Sequence, residues 1–256
     1  MKTPQTLFLA WQDSDSRSWF TIGRLTFDGN KYKFVYTKGV KEAQNTCGFE
    51  PLYSFPKLKE EYTSNYLFAV FSNRVMSRSR PDYTDFLKWL NIPENEDDPL
   101  AILARSGGQR ETDSLAVLPY PEPDKEGLYQ LHFFAHQLQN LHKDTIEKIN
   151  RFKPKEKLFL VYDNKELTLR KNDKDEDIVG YCPSYLKSEI YELIRKDSKS
   201  SVLLEVERVN LSPTPLQFRL LCRLTAFCKN GYRPFSSSKY QPLLEKKQNN
   251  IYSNPI

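Results

Sequence analysis

Three prolines fall within five residues at Pro119-Tyr-Pro-Glu-Pro123. No continuous helix or sheet ladder survives such a segment, because each proline lacks a backbone N–H and clashes with helical continuation. The polar run Asp124 to Gly127 follows directly. The chain is therefore expected to divide into a unit over 5–120, a linker over 121–127 and a second unit over 128–235. A basic, flexible tail is expected over 236–256. The first unit reads as a β-meander. Leu7 to Trp11, Trp19 to Ile22, Arg24 to Phe27 and Tyr32 to Tyr36 are short strands, the last pair joined by an Asp28-Gly29-Asn30 turn. After Pro56 the period changes. Leu67, Val70, Phe71 and Val75 share a helical face, as do Tyr83, Phe86, Leu87 and Leu90. Asp98-Pro99 has the form of an N-cap followed by proline at the first helical position, and Gly107-Gly108 ends that short helix. Ser114 to Leu118 supplies a last strand.

The second unit reads as a strand (Tyr129 to Phe134), a helix with Leu138, Leu141, Thr145, Ile149 and Phe152 on one face, and a strand (Lys157 to Val161). Strands at 167–170 and 178–181 follow, then a helix on Leu186, Ile190, Leu193 and Ile194. Strands at Val202 to Val209 and Leu216 to Phe227 complete it. The fold class is α+β: an N-terminal β-meander with short helices and a small β-barrel-like C-terminal unit with two helices.

Composition narrows the function. With 39% hydrophobic residues in 256, the chain can bury one large core or two small ones. It has no apolar run of about 18 residues that would span a membrane. Its N-terminus has neither an apolar signal segment nor a transit pattern. Four cysteines without paired spacing (Cys47, Cys182, Cys222, Cys228) suit a reduced, cytoplasmic protein. The net charge of +5 belongs entirely to residues 121–256, which carry 23 Lys and Arg against 18 Asp and Glu. Between Leu216 and Lys247, seven basic residues, Arg219 and Arg223 among them, face only Glu245. Such a stretch attracts polyanions through counterion release.

The segment Ile178-Val-Gly-Tyr-Cys-Pro-Ser-Tyr-Leu186 re-enters the core with Ile178 and Val179, bends at Gly180 and starts a helix at Pro183. Tyr181 and Tyr185 flank the bend, which reads as a binding rim. Together with Tyr162-Asp163, Leu167-Thr-Leu-Arg170 and Val206-Glu-Arg-Val-Asn210, this segment makes residues 129–228 resemble a HIRAN domain. That family is a compact β-barrel-like module of nucleic-acid-binding proteins. Leu160-Val161 stands where the family has Asn-Pro before the Tyr-Asp pair, and the loop before it is shorter. The resemblance implies capture of single-stranded DNA or its 3′ end, by aromatic stacking and a carboxylate near the terminal sugar. It assigns those roles to Tyr162 and Asp163, then to Gly180 and Tyr181, with His132 and Phe133 on the opening strand.

Residues 5–120 resemble the N-terminal subdomain of HipA-type kinases, which also occurs free-standing in split toxin–antitoxin systems. The resemblance rests on Gly23-Arg-Leu25, Phe34-Val-Tyr36, Phe55-Pro56, Leu67-Phe-Ala-Val-Phe71 and Ile102-Leu-Ala-Arg-Ser-Gly-Gly108 in the family's order. It implies a HipA-type kinase as partner. The chain has neither a Gly-rich phosphate loop before a lysine strand nor a His-x-Asp catalytic loop.

Other constellations point to structure. His132, His136 and His142 lack zinc spacing, so no metal or other cofactor is expected. The cysteines read as buried thiols. Asp97-Asp98 and Asp173 to Asp177 read as charged turns, and Ser106-Gly-Gly108 ends a helix, the wrong polarity for an anion. Arg74, Arg78 and Arg80 are either the exposed side of two helices or a contact patch for a partner or nucleic acid. The expected function is therefore that of a non-catalytic protein binding single-stranded DNA or DNA 3′ ends and acting as an antitoxin-like partner or regulator of a HipA-type serine/threonine kinase. The alternative is a stand-alone DNA-repair or phage-defence accessory.

Overall fold

The computed structural model describes residues 5–172, 177–196, 202–227 and 233–244. The acidic turn 173–176, Cys228, Lys229 and the basic residues Lys246 and Lys247 lie outside the described residues. The architecture is α+β, with two antiparallel sheets. The first holds β1 (Thr6–Gln12), β2 (Trp19–Phe27), β3 (Tyr32–Tyr36), β4 (Tyr62–Ser64) and β5 (Leu115–Pro119), in the order β4-β3-β2-β1-β5. Between its strands lie α1 (Gly39–Cys47), α2 (Ala69–Ser72), α3 (Tyr83–Trp89) and α4 (Pro99–Ser106). The second sheet holds β6 (Leu128–Phe134), β7 (Lys157–Asp163), β8 (Glu166–Arg170), β9 (Ile178–Tyr181), β10 (Val202–Val209) and β11 (Leu220–Phe227). Its order is β6-β11-β10-β7-β8-β9, accompanied by α5 (Lys143–Asn150) and α6 (Ser184–Lys196).

Local chemistry explains much of this. The Asp28 carboxylate accepts hydrogen bonds from the backbone N–H groups of Asn30 (3.0 Å) and Lys31 (2.9 Å), while Gly29 takes φ +92°. This turn sets the β2–β3 register. Asp98 caps α4 by accepting from the N–H of Leu100 at 2.8 Å, and Gly107 ends the helix in the left-handed region at φ +74°.

Several elements differ from the expected ones: the strands expected at Trp19 to Ile22 and Arg24 to Phe27 are the single strand β2, and β4 was not expected. The helix expected through Val75 is the single turn of α2. Arg74 turns its guanidinium back onto the Val70 carbonyl (Nε to O 2.8 Å), while its own N–H bonds Phe71, so the helical ladder stops. The helix expected over 138–152 splits into a 3₁₀ turn at Leu138–Asn140 and α5, because Leu141 and His142 are extended. The last strand begins at Leu220, since Leu216–Phe218 form a 3₁₀ turn. α1 was not expected at all, although Val40 and Ala43 are fully buried at helical spacing and Gly48 ends the helix at φ +66°.

The second sheet is not a closed barrel. A single bridge, His136 with Tyr181, joins the far edge at β9 to the chain just beyond β6, in place of a ladder.

One core crosses the proline segment. Phe8, Ala10, Ala116 and Leu118 of the first sheet share it with Leu131, Phe133, Leu169, Leu204 and Cys222 of the second. α6 lies between them. Leu186, Ile190 and Leu193 belong to this core, and the Tyr185 ring meets Trp19 edge-on at 5.5 Å. Tyr120, the last residue before the expected linker, packs edge-on against Phe8 at 5.8 Å.

The tail expected to be flexible over 236–256 is anchored as far as Leu243: Tyr240 belongs to this core and Leu243 to that of the first sheet, while Leu244 is exposed. Phe235 and Tyr240 pack on Phe8 with ring centroids 6.0 and 4.9 Å away. Leu243 N–H donates to the Tyr36 carbonyl at 2.7 Å, Lys38 N–H donates to the Gln241 carbonyl at 2.8 Å, and Pro242 bridges Thr37. Aromatic burial here outweighs the polar Ser and Lys content that suggested a loose end.

Candidate nucleic-acid interface

Side chains alternate across a strand, so the register assigns each residue to one face of the second sheet. Leu158, Leu167, Leu169, Leu204, Cys222, Leu224 and Phe133 face the core. The opposite, outer face divides in two. Over β6 and β11 it is covered by the first half of the chain: Phe86, Leu87, Leu90 and Ile102 of the α3–α4 region pack on Phe134 and Leu221. Over β7, β8 and β9 the outer face carries Lys157, Phe159, Val161, Asp163, Thr168, Arg170 and Tyr181. Phe159 is 41% exposed there.

The β7–β8 hairpin turns through two residues, Asn164 (φ +45°) and Lys165 (φ +67°), the conformation whose twist matches the flanking strands. Lys187 of α6 fastens it, its ammonium donating to the Lys165 carbonyl at 2.8 Å and approaching Glu166 at 3.3 Å.

The approach to β7 is strongly basic. Residues 143–171 hold nine Lys and Arg against five Asp and Glu, a net +4. Local pairs absorb part of this: Lys148 with Asp177, Lys171 with Glu156, and Arg170 with Asp163 at 2.9 Å. Arg151, Lys153, Lys155 and Lys157 are exposed. Among the described residues Arg151, Lys155 and Lys157 have no ion-pair partner. A row of exposed cations thus runs into a strand whose outer face presents a phenyl ring.

The residues expected to form one end-binding rim are distributed differently. Tyr162 pairs in register with buried Leu167 and so points away from the outer face that carries Asp163 and Tyr181. It is 51% exposed and leans on Tyr191 of α6, ring centroids 4.7 Å apart. Tyr162 and Tyr181 therefore do not frame one base. Asp163 is no bare carboxylate, because Arg170 neutralises it. Arg170 in turn donates through Nε to the Thr168 hydroxyl at 3.2 Å.

Gly180 is buried at φ +152°, and a Cβ there would sit 2.8 Å from that of Ala135. Its role is close packing of β9 against the chain after β6. Gly180→Ala should cost about 2 kcal/mol, combining overpacking with an unfavourable φ. Urea denaturation measures it, and an unchanged midpoint would show that the contact is not needed.

Several expected ligands of nucleic acid are structural. Phe133 is 2% exposed, with its ring in the core, so it cannot stack on a base. His132 is buried beneath α4 on the covered face, and burial, aided by the nearby Arg105 and Arg223 charges, lowers its pKa to about 3. It is therefore neutral, and its 4.0 Å approach to Glu207 is not an ion pair. Arg219 is buried and donates to the Asn150 side chain and to the Thr214 carbonyl, both at 2.9 Å. Arg223 pairs with Glu205 at 3.0 Å and Glu207 at 3.4 Å.

The arginines considered for partner contact also have local tasks. The Arg74 side chain is covered within a half-buried residue, donating to the Gly108 carbonyl and pairing with Asp113. Exposed Arg78 and Arg80 pair with Asp97 and Asp82, each at 2.8 Å.

Comparison with protein-family models, with curated proteins and with solved structures finds no match. The functional reading rests on the side chains themselves. Burial raises the pKa of both the Cys182 and Cys222 thiols, which disfavours the nucleophilic thiolate. Among the described residues no group of three or more His, Cys, Asp or Glu is placed to hold a metal ion, and no helix is long and apolar enough to cross a membrane.

Arg151, Lys153, Lys155, Lys157 and Phe159 are the functional candidates that sequence reasoning missed. The signal was present in Arg151-Phe-Lys-Pro-Lys-Glu-Lys157, where lysines alternate into a strand. Charge counted over 216–247 drew attention to arginines that the fold uses internally.

Proposed function

We propose that this protein binds single-stranded nucleic acid along the exposed β7 part of the outer face of its second sheet. The observation that carries the reading is the run of exposed cations from Arg151 to Lys157 leading onto exposed Phe159. Phosphates would follow the cations, and a base would stack on the phenyl ring with Arg170 and Tyr181 alongside. The resemblance of residues 129–228 to HIRAN domains supports the same ligand class, although the binding elements proposed here differ from the residues that the resemblance assigns. A strand crossing an open face does not require a free 3′ end. The role beside a HipA-type kinase is supported by the resemblance of residues 5–120 alone.

Fluorescence anisotropy with labelled oligo-dT and with a duplex of equal length tests the proposal. The single strand should bind more tightly than the duplex, and raising salt from about 50 to 200 mM should weaken it at least tenfold. Lys153→Glu, Lys155→Glu and Lys157→Glu combined should weaken it at least about 100-fold. Phe159→Ala should cost roughly tenfold, within the range for one lost base stack. As a control, Lys31→Glu, Lys41→Glu and Lys59→Glu, all exposed in the first half, should leave affinity within about threefold. Equal losses in both charge-reversal variants would reduce the interface to non-specific attraction and overturn the proposal.

A further inference from the structure

β6 is an edge strand, paired with β11 on one side only. The Ala135 N–H donates to the Leu220 carbonyl at 2.9 Å, which fixes the phase of that ladder. In an antiparallel pair the backbone groups of alternate residues point to opposite edges. Tyr129, Leu131 and Phe133 therefore direct their N–H and C=O groups to β11, while Gln130 and His132 direct theirs away from it. The neighbours of the second set agree. The Leu128 carbonyl accepts from Asp124, and the His136 N–H donates to Tyr181, both away from β11. Among the described residues no strand pairs with the free side of β6, and no hydrogen bond takes up the Gln130 or His132 backbone there. His132 is only 8% exposed, and buried backbone groups are seldom left unpaired.

The proline segment explains why the chain does not fill this edge itself. The Tyr120 N–H turns to β1, donating to the Thr6 carbonyl at 3.2 Å, whereas the Val117 N–H points the other way, to Gly107 at 2.7 Å. The next residues in the set of Val117 are Pro119, Pro121 and Pro123, none of which has an N–H. All three line a cavity of about 430 Å³ whose opposite wall is β6. Both Gln130 and His132, from the outer face of the strand, and Leu131, from its core face, line that cavity, as they must if it runs along the strand edge. The cavity lies beyond β11 and β10 from β7 and so is separate from the nucleic-acid face.

Paired N–H and C=O groups on every second residue repeat at about 6.8 Å, a pattern matched by the backbone of another extended polypeptide. We propose that this slot binds an extended peptide, which adds to β6 as a further strand. Two of its residues would pair with Gln130 and His132. Directly paired residues point to the same face, so their side chains would meet Ile92 and Ala104 and should be apolar. The alternate residues would direct their N–H groups toward the proline wall.

Isothermal titration calorimetry on the full chain tests this with acetyl-Val-Ser-Val-Ser-Val-amide and acetyl-Leu-Ser-Leu-Ser-Leu-amide as probes. At least one should bind saturably with a dissociation constant below about 1 mM. N-methylation of its central apolar residue removes an N–H directed at β6 and should weaken binding at least about tenfold. N-methylation of a serine, whose N–H points away, should change it by less than about threefold. Gln130→Pro deletes a donor that takes no part in the β11 ladder, a change that edge strands tolerate. It should weaken the peptide at least about tenfold while near-ultraviolet circular dichroism stays native. If that variant loses its native spectrum, the two methylated peptides still decide the matter. Lys153→Glu, Lys155→Glu and Lys157→Glu combined should leave peptide binding unchanged, so that this proposal and the nucleic-acid reading fail separately. Absence of saturable binding by both peptides, equal losses on the two methylations, parental affinity in a natively folded Gln130→Pro variant, or displacement of the peptide by oligo-dT would overturn the proposal.

Discussion

Phe235→Ala combined with Tyr240→Ala should cost about 6 kcal/mol and leave the chain largely unfolded near physiological temperature. Each ring is almost fully buried (3% and 2% exposed), and truncating a buried aromatic costs roughly 3–5 kcal/mol. The two rings touch at 5.2 Å, so their losses overlap and fall short of the simple sum. Against a typical stability of about 5–15 kcal/mol, the remainder is small. The rings also stand at the meeting point of both sheets. Phe8 lies beneath them, and the Phe235 N–H donates to Glu189 of α6 at 2.9 Å. Urea denaturation followed by tryptophan fluorescence measures the effect, with exposed Ser236→Ala as a control expected to stay within about 0.5 kcal/mol of the parent. A double variant with a near-parental midpoint would remove 233–244 from the core and restore the reading of a dispensable tail.

Acid should destabilise the protein well before its carboxylates titrate. His132 and His136 are held neutral in the fold, desolvation lowering their pKa values to about 3 and about 4 from the ordinary 6.5. Below pH 6.5 the unfolded chain takes up these two protons and the native state does not. Stability therefore falls as pH drops from 6.5 toward 4, by about 1.4 kcal/mol per pH unit for each histidine. Between pH 7.5 and 5 the two together should remove about 4 kcal/mol. Arg105 and Arg223 face His132 and oppose its protonation, whereas Glu207 approaches it without an ion pair. His136 is packed edge-on against Tyr185 with ring centroids 5.8 Å apart. Guanidinium denaturation at pH 7.5, 6 and 5 gives the slope, and His132→Gln should reduce it by about half whatever that substitution does to stability at pH 7.5. Constant stability over this range would mean that the imidazoles are hydrated in the native state.

The candidate interface was only partly legible in the sequence. The basic character of the second half was visible, but the use of each cation was not. Arg219 and Arg223 belong to an obviously basic stretch, yet their partners Asn150, Glu205 and Glu207 lie on other elements. Lys155 and Lys157, in a less conspicuous segment, are the ones left facing solvent. Tyr162 and Asp163 are neighbours in sequence and point to opposite faces, because consecutive residues of a strand must.

Contacts within a few residues of one another were determined by the sequence alone. The Asp28-Gly29 turn, the Asp98-Pro99 cap, the Gly107 helix end and the alternation of β3 all follow from side-chain reach and backbone sterics. Tertiary structure alone decided that α3 and α4 cover half of the second sheet's outer face, that the proline segment lines a cavity, and that Phe235, Tyr240 and Leu243 dock beside Phe8 and Tyr36. Those outcomes depend on which apolar surfaces meet across separations from about thirty to more than two hundred residues. Hydrophobic burial is non-directional and leaves no local sequence mark that names its partner.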